Sequence, residues 1–266
     1  MINKTLFFQE IKRSYKLLLI FIAIMVMYIT MIISMFDPSL GKTLEEFAKA
    51  MPGLMSMFGM ETTGSTLLEF ISNYLYGFIM LIFPLAFVII MANKLIAFHV
   101  YKGSMTYLLA SPNTRTKVVF TQMFVLLTMM IVLLLVSIVI ELISAQAMFP
   151  DSLDISKFME INLGMFALMI AVSGFCFFIS CISNETKLSL TLGAGIPTVF
   201  YLIKMLANMG GKLENMKYAT IFSLFDTDKI IAGDGDVWFM NVILLIIGIV
   251  FYSSAFYFFK RRDLPL

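Results

Sequence analysis

One histidine, His99, and two cysteines, Cys176 and Cys181, are all the imidazole and thiol chemistry this chain has. A lone histidine excludes a His-rich metal site. With no nucleophile motif to pair with it, a histidine-based triad is excluded too. The cysteines stand five positions apart in one apolar run, so on a helix they face different directions and do not bond to each other. They are expected as reduced structural thiols, with no disulfide framework. Charge is scarce as well: Asp, Glu, Lys and Arg make up 14% of the 266 residues, against about 25% in a soluble domain. That is too little polar surface to cover a globule in water. Phosphate-binding loops are missing. Gly41-Lys42-Thr43 has Phe36 where the first glycine belongs, and Gly211-Lys212-Leu213 has Leu206 there and no Ser or Thr after the lysine.

What the chain has instead is apolar length. Hydrophobic residues make up 60% of it. They gather in six runs, Leu17–Phe36, Phe70–Met91, Val118–Ile143, Ile161–Ile182, Leu188–Leu206 and Phe239–Phe259. A helix crossing the hydrocarbon core needs roughly 20 apolar residues. The runs lack the apolar/polar alternation of barrel strands, so helices are predicted. The expected fold is an all-α membrane protein, a single domain over residues 1–266 with six transmembrane helices. Pro84 and Pro197 lie inside two runs and are expected to kink them, as packing features rather than hinges. Glu141 and Lys204 sit near the outer ends of their runs, where both are expected to reach the interface, the lysine by snorkelling. No ionisable group is then left at mid-membrane for a proton path or an active site.

Lys and Arg set the orientation. Six spans put both ends on one side. That side holds 12 of the 19 basic residues and only Glu10, Glu185 and Asp263 among the acids. Both termini are therefore expected in the cytoplasm of a multi-pass cell-membrane protein. Trp238 begins the last run on the outer side, at headgroup level. The first run is too long for a signal h-region and lacks a cleavage site, so it reads as a retained span. Ahead of it, residues 1–16 carry Phe7, Ile11 and Tyr15 at helical spacing, which suggests a helix in the inner interface. Its bases alone also fit plain positive-inside topology.

The loops add detail. The outer loop Asp37–Glu69 contains Met51, Met55, Met57 and Met60. Thioethers favour Cu(I), but Met is a common apolar residue here, and an interfacial segment is the simpler reading. The loop Ser144–Glu160 is short and acidic. The loop Ala207–Trp238 carries Asp226, Asp228, Asp234 and Asp236 at spacings that do not fit a calcium loop, so they read as solvated acids and helix caps. Its apolar patches, Ile221–Phe225 and Ile230-Ile231, suggest short helices dipping back toward the membrane. In the inner loop between the second and third runs, Ser104–Ala110 is predicted as a short helix with Met105, Leu108 and Leu109 on one face, ending near Pro112. Such a face seeks a protein partner, the lipid surface or the inner ends of its own spans. In the fourth run Gly164, Ala167, Ala171 and Gly174 form a small-residue stripe suited to close helix packing, more within the chain than between chains.

The inner loop Lys102-Gly103-Ser-Met-Thr-Tyr-Leu-Leu109-Ala-Ser-Pro112-Asn-Thr-Arg115 resembles a pattern of the ABC-2 type permeases of ATP-binding-cassette transporters: Gly-Thr (here Gly-Ser), an apolar pair, then Pro-x-x-Arg. The ending Phe259-Lys-Arg-Arg262-Asp263-Leu-Pro is similar to the basic-Asp-Leu ending common in that family, and the layout of six spans matches over nearly the whole chain. One departure concerns a Glu that often precedes the Gly in the family; here His99, Val100, Tyr101 and Lys102 stand there. The resemblance implies an N-terminal interfacial helix, a cytoplasmic coupling helix between spans 2 and 3, and a re-entrant outer hairpin before span 6. It also implies a separate cytoplasmic ATPase, which binds ATP and Mg²⁺, and a second permease subunit, identical or not. The coupling surface would comprise Glu10, Lys12, Arg13, Gly103, Ser104, Met105, Leu108, Leu109, Pro112 and Arg115. No catalytic residue, cofactor or metal is expected in this chain itself, and no nucleic-acid partner. The function expected is export of a hydrophobic or amphipathic substrate such as a peptide, toxin or drug. The alternatives are a copper-related ABC-2 permease and a non-transport membrane sensor or immunity protein. A membrane enzyme is disfavoured for want of paired carboxylates or a His or Cys cluster.

Overall fold

A computed structural model of the protein describes residues 2–37, 53, 57, 66–105 and 114–262. It is 88% helical, with no strand among the described residues. Six helices are long and apolar enough to cross a membrane. They are α1 (Lys4–Ser34), α2 (Leu67–Tyr101), α3 (Arg115–Met148), α4 (Ile155–Ile182), α5 (Thr186–Asn208) and, after the short helix α6 (Thr227–Ala232), α7 (Asp236–Arg261). The six long helices all begin upstream of the apolar runs that announced them, and four of them start at a side-chain cap there. Asn3, Thr114 and Asp154 each accept a hydrogen bond from the backbone N–H of their helix's first turn. Thr66 and Glu69 close a capping box at the start of α2. At 1.5 Å per residue, α1, α2 and α3 are each about 45–50 Å long, well beyond a hydrocarbon core of about 30 Å.

Residues 1–16 were expected to hold a separate interfacial helix. From Lys4 onward they are instead the first half of α1, with no break before the span. The inward face differs from the expected one as well. Leu6, Glu10 and Ser14 are buried, Phe7 and Ile11 are partly covered, and Tyr15 is exposed. Burial continues along the same side of α1 through Phe21, Met25, Ile29 and Ile33.

The centre of the bundle is α4, which packs most extensively against α7, while α1 lies along α3. The α4–α7 contact is close because two glycines meet. A Cβ on Gly174 would stand 2.9 Å from the Gly248 carbonyl oxygen, and one on Gly248 would stand 3.0 Å from the Ile170 carbonyl oxygen. Gly164, at the other end of the stripe, lies against the Phe225 ring and Asn241, and Ala167 and Ala171 between them are buried.

Helix α2 is irregular. It contains two π-helical segments, Ser72–Ile79 and Asn93–Ala97, on either side of an α-helical stretch that includes Pro84. Wide turns of this kind occur frequently at functional sites. In the first segment the Gly77 carbonyl accepts a hydrogen bond from the Tyr201 hydroxyl of α5 at 2.9 Å.

Both termini lie at one end of the bundle. There the Asn3 backbone N–H donates to Thr121 Oγ1 at the start of α3 (3.0 Å), and Arg262 reaches the turn after α4. At the opposite end, Phe36 packs on Phe70 and Phe149. The chain between α5 and α7 closes this second end. It runs through two 3₁₀ segments, Gly211–Ala219 and Ile221–Leu224, and then α6. Phe222, Phe225 and Ile230 bury there, with Phe222 against Tyr201 and Phe225 near Tyr76. Asp226 caps α6, Asp234 accepts from the Asp236 N–H, and Gly233 ends α6 in the left-handed conformation. The loop expected over Ser144–Glu160 is shorter than predicted, since α3 runs to Met148 and α4 starts at Ile155. Trp238 is exposed at this end.

Candidate functional site

Two groups of polar side chains inside the bundle join several helices, one toward each end. At the end that carries the termini, the group links α1 to the last turns of α2. His99 is buried. Ser104 Oγ donates to the His99 carbonyl oxygen at 3.3 Å, which leaves it to accept from His99 Nδ1–H at 2.9 Å. Nε2 then faces α1, 3.3 Å from Glu10 Oε1 and 3.4 Å from Arg13 Nη1. A neutral ring accepts from Arg13, and a protonated one donates to Glu10. Lys94 Nζ donates to the Arg13 carbonyl oxygen at 3.0 Å, and the Lys102 ammonium stands 4.6 Å from the centre of the Phe98 ring. Gly103 follows α2 with φ +69°, a left-handed turn that suits glycine and turns the chain out of the helix. Arg115, at the start of α3, donates to the Arg262 carbonyl oxygen at 2.7 Å. Arg262 in turn donates to the carbonyl oxygens of Cys181 at 2.5 Å and Ser183 at 2.8 Å, and to Asn184. Burial holds the Arg262 guanidinium below its ordinary value, although it stays charged.

Two residues of the expected coupling surface are buried within the chain. Glu10 faces inward onto His99. Met105 is buried just after the turn at Gly103. Lys12 and Arg13 lie on the exposed side of α1, and Gly103, Ser104 and Arg115 are half-buried at this end. Leu108, Leu109 and Pro112 lie outside the described residues, as do Asp263 to Leu266.

The second group lies toward the other end, and sequence reasoning missed most of it. Glu141 was expected to reach the interface. It is completely buried instead, because α3 turns that face toward α2 and α4. Tyr76 Oη, from the first π segment, lies 2.8 Å from Glu141 Oε2 and 2.9 Å from Asn162 Oδ1. Asn162 Nδ2 donates to the Phe158 carbonyl oxygen at 2.9 Å. Lys204 was also expected to snorkel outward. Its Nζ instead donates to the Phe225 carbonyl oxygen at 3.0 Å and stands 5.5 Å from the centre of that ring, since a bare carbonyl and an aromatic face lie within its reach. A usable signal was present in the sequence: a carboxylate inside an apolar run is costly unless partnered. Glu141 and Asn162 lie 65 and 86 positions from Tyr76, too far for any spacing rule to join them.

Among the described residues, no three His, Cys, Asp or Glu side chains gather closely enough to hold a metal ion. Both cysteines are free and buried, and Cys176 Sγ lies 3.4 Å from the Gly193 carbonyl oxygen. An apolar recess beside Pro197 is lined by Val172, Phe175, Phe200, Ile221 and Phe251. The arrangement offers buried hydrogen-bonded joints and apolar surfaces to lipid.

Residues 8–264 match the family model described as ABC-2 family transporter protein. No curated protein and no solved structure matches the chain. A match over nearly the whole length, on six membrane-crossing helices, shows that the chain belongs to the ABC-2 transporter family and is a multi-pass membrane component of a transporter.

Proposed function

We propose that this protein is the membrane-spanning subunit of an ATP-driven exporter, paired with a second permease subunit and driven by separate cytoplasmic ATPase subunits. Its family is the membrane component of such transporters rather than their ATPase. ATP and Mg²⁺ belong to the partner. The orientation that goes with this reading has both termini in the cytoplasm, on the strength of the lysine and arginine bias. A hydrophobic or amphipathic substrate, such as a peptide, toxin or drug, suits a bundle whose recess beside Pro197 is wholly apolar.

The observation that carries this reading is the joint between α1 and the head of the loop after α2. Glu10, His99 and Ser104 tie the two together across the turn at Gly103. In this chain His99 stands in the stretch where the family often has a Glu, and Glu10 brings a carboxylate to it from α1. A push on the loop between Gly103 and Arg115 is then felt by α1 and α2 together, and through Arg115 and Arg262 by α7 and the α4–α5 turn. Leu108→Asp or Leu109→Asp is expected to abolish co-purification of the ATPase while the spans stay folded. Unchanged co-purification with normal ATP turnover would remove the loop from the contact.

A further inference from the structure

The hydrogen-bond chain at Tyr76 contains one proton more than its neutral donors supply. Three contacts are in sequence: Glu141 Oε2 to Tyr76 Oη at 2.8 Å, Tyr76 Oη to Asn162 Oδ1 at 2.9 Å, and Asn162 to the Phe158 carbonyl oxygen at 2.9 Å. Each needs a hydrogen between its two heavy atoms. A tyrosine hydroxyl supplies one. The asparagine amide nitrogen faces either Phe158 or, if turned over, Tyr76, but not both, so it fills one contact in either orientation. The third hydrogen has no source except the carboxyl group. With an ionised Glu141, two oxygens are left face to face without a proton at one of these contacts. Glu141 Oε1 points the same way, since it is fully buried with no hydrogen-bond partner. A bare carboxylate oxygen there carries the desolvation cost of a charge, whereas an acid's carbonyl oxygen carries only that of a dipole.

Among the described residues, no charge compensates a carboxylate at Glu141. From α2 the titratable neighbour is Tyr76 itself, and α4 contributes Asn162. Charged residues borne toward this end by elements of the bundle turn elsewhere. Lys157 of α4 donates to the Ile231 carbonyl oxygen, and Lys204 of α5 to that of Phe225. Glu160 of α4 and Asp236 of α7 are acids and offer no positive charge. The span part of α1, residues 17–34, has no charged residue.

We infer that Glu141 is a proton-binding site: in this packing it is a neutral carboxylic acid that donates to Tyr76, which donates to Asn162, and so joins α3, α2 and α4. Loss of the proton to water breaks the O–H bond, leaves a carboxylate and removes the hydrogen from the Glu141–Tyr76 contact or its neighbour. Parting α2 from α3 enough to admit water is thus linked to proton release, and refilling the site restores the joint. The inference stands apart from the transport role and is tested without an ATPase.

The test is infrared spectroscopy of the full chain in lipid nanodiscs at neutral pH, in H₂O and D₂O. A carbonyl band of a protonated carboxylic acid, shifted by deuterium, is expected in the wild type and lost in Glu141→Gln. The Gln amide donates to Tyr76 as the acid does, so this variant should match the wild type in thermal stability while lacking its loss of stability in alkaline buffer. If Glu141→Gln does not fold, Tyr76→Phe decides instead: it removes the acid's hydrogen-bond partner and should move the band to higher frequency. A wild-type spectrum with carboxylate bands in place of the acid band overturns the inference, as does an acid band that neither substitution touches. Carboxylate bands that shift when Na⁺ replaces K⁺ overturn it too, and would make the site one for a metal cation.

Discussion

The two polar groups of this bundle solve opposite problems. At the end with the termini, buried and exposed charges meet: Glu10, buried, and Arg13, exposed, both face His99, and Lys94 and Arg262 are spent on backbone carbonyls. Toward the other end the chain of Glu141, Tyr76 and Asn162 is sealed, uses no counter-ion and closes on the backbone of α4. The first group joins helices to a loop, and the second joins helices to one another. The difference follows from solvent access. A buried polar atom left unpartnered costs about 1–3 kcal/mol, whereas a charge near the surface keeps part of its hydration.

The comparison breaks most severely where both ends depend on one contact. Gly248→Leu drives a side chain into the Ile170 backbone and should part α4 from α7, at a cost of about 3 kcal/mol. Folded yield and thermal midpoint should fall together, and a stable Gly248→Leu protein would show that the close approach is dispensable. Next comes the sealed seam. Asn162→Ala leaves the Tyr76 hydroxyl without its acceptor and should cost about 1–3 kcal/mol, read as a lowered thermal midpoint with ATPase binding retained. The smallest effect on stability is expected at the other end. Glu10→Gln keeps a polar partner for His99 Nε2 at this buried position while removing the charge, so the midpoint should move by no more than about 1 kcal/mol equivalent. ATP turnover coupled to this subunit should still fall. A large stability loss in Glu10→Gln with intact coupling would reverse the roles assigned to the two ends.

The spans were legible in the sequence because each is a long run without charge, and lipid leaves helix as the simplest way to satisfy such a backbone. Their true ends were not, because Asn3, Thr114 and Asp154 set them from outside the apolar runs. The direction of α1 shows the limit of periodicity. Phe7, Ile11 and Tyr15 made a plausible apolar stripe, yet Glu10 and Ser14 on the neighbouring face are the buried ones, because a partner for Glu10 lies across on α2. The inner loop after the second run was readable in the sequence. The joint at its start was not, since His99 and Glu10 are far apart in the chain and no spacing rule joins them. Lys204 and Glu141 were each noticed as isolated charges. Their burial depended on Phe225 and Tyr76, which apolar composition hides among 37 phenylalanines and tyrosines.

The two π segments divide α2 into three α-helical pieces, of which the longest, Met80–Ala92, has 13 residues. A π turn holds more residues than an α turn, so tightening one would pay out length and swivel whatever follows it. The helix that carries Tyr76 at one end and His99 at the other is therefore less a girder than a screw with spare thread, able to trade rotation at one joint for reach at the other.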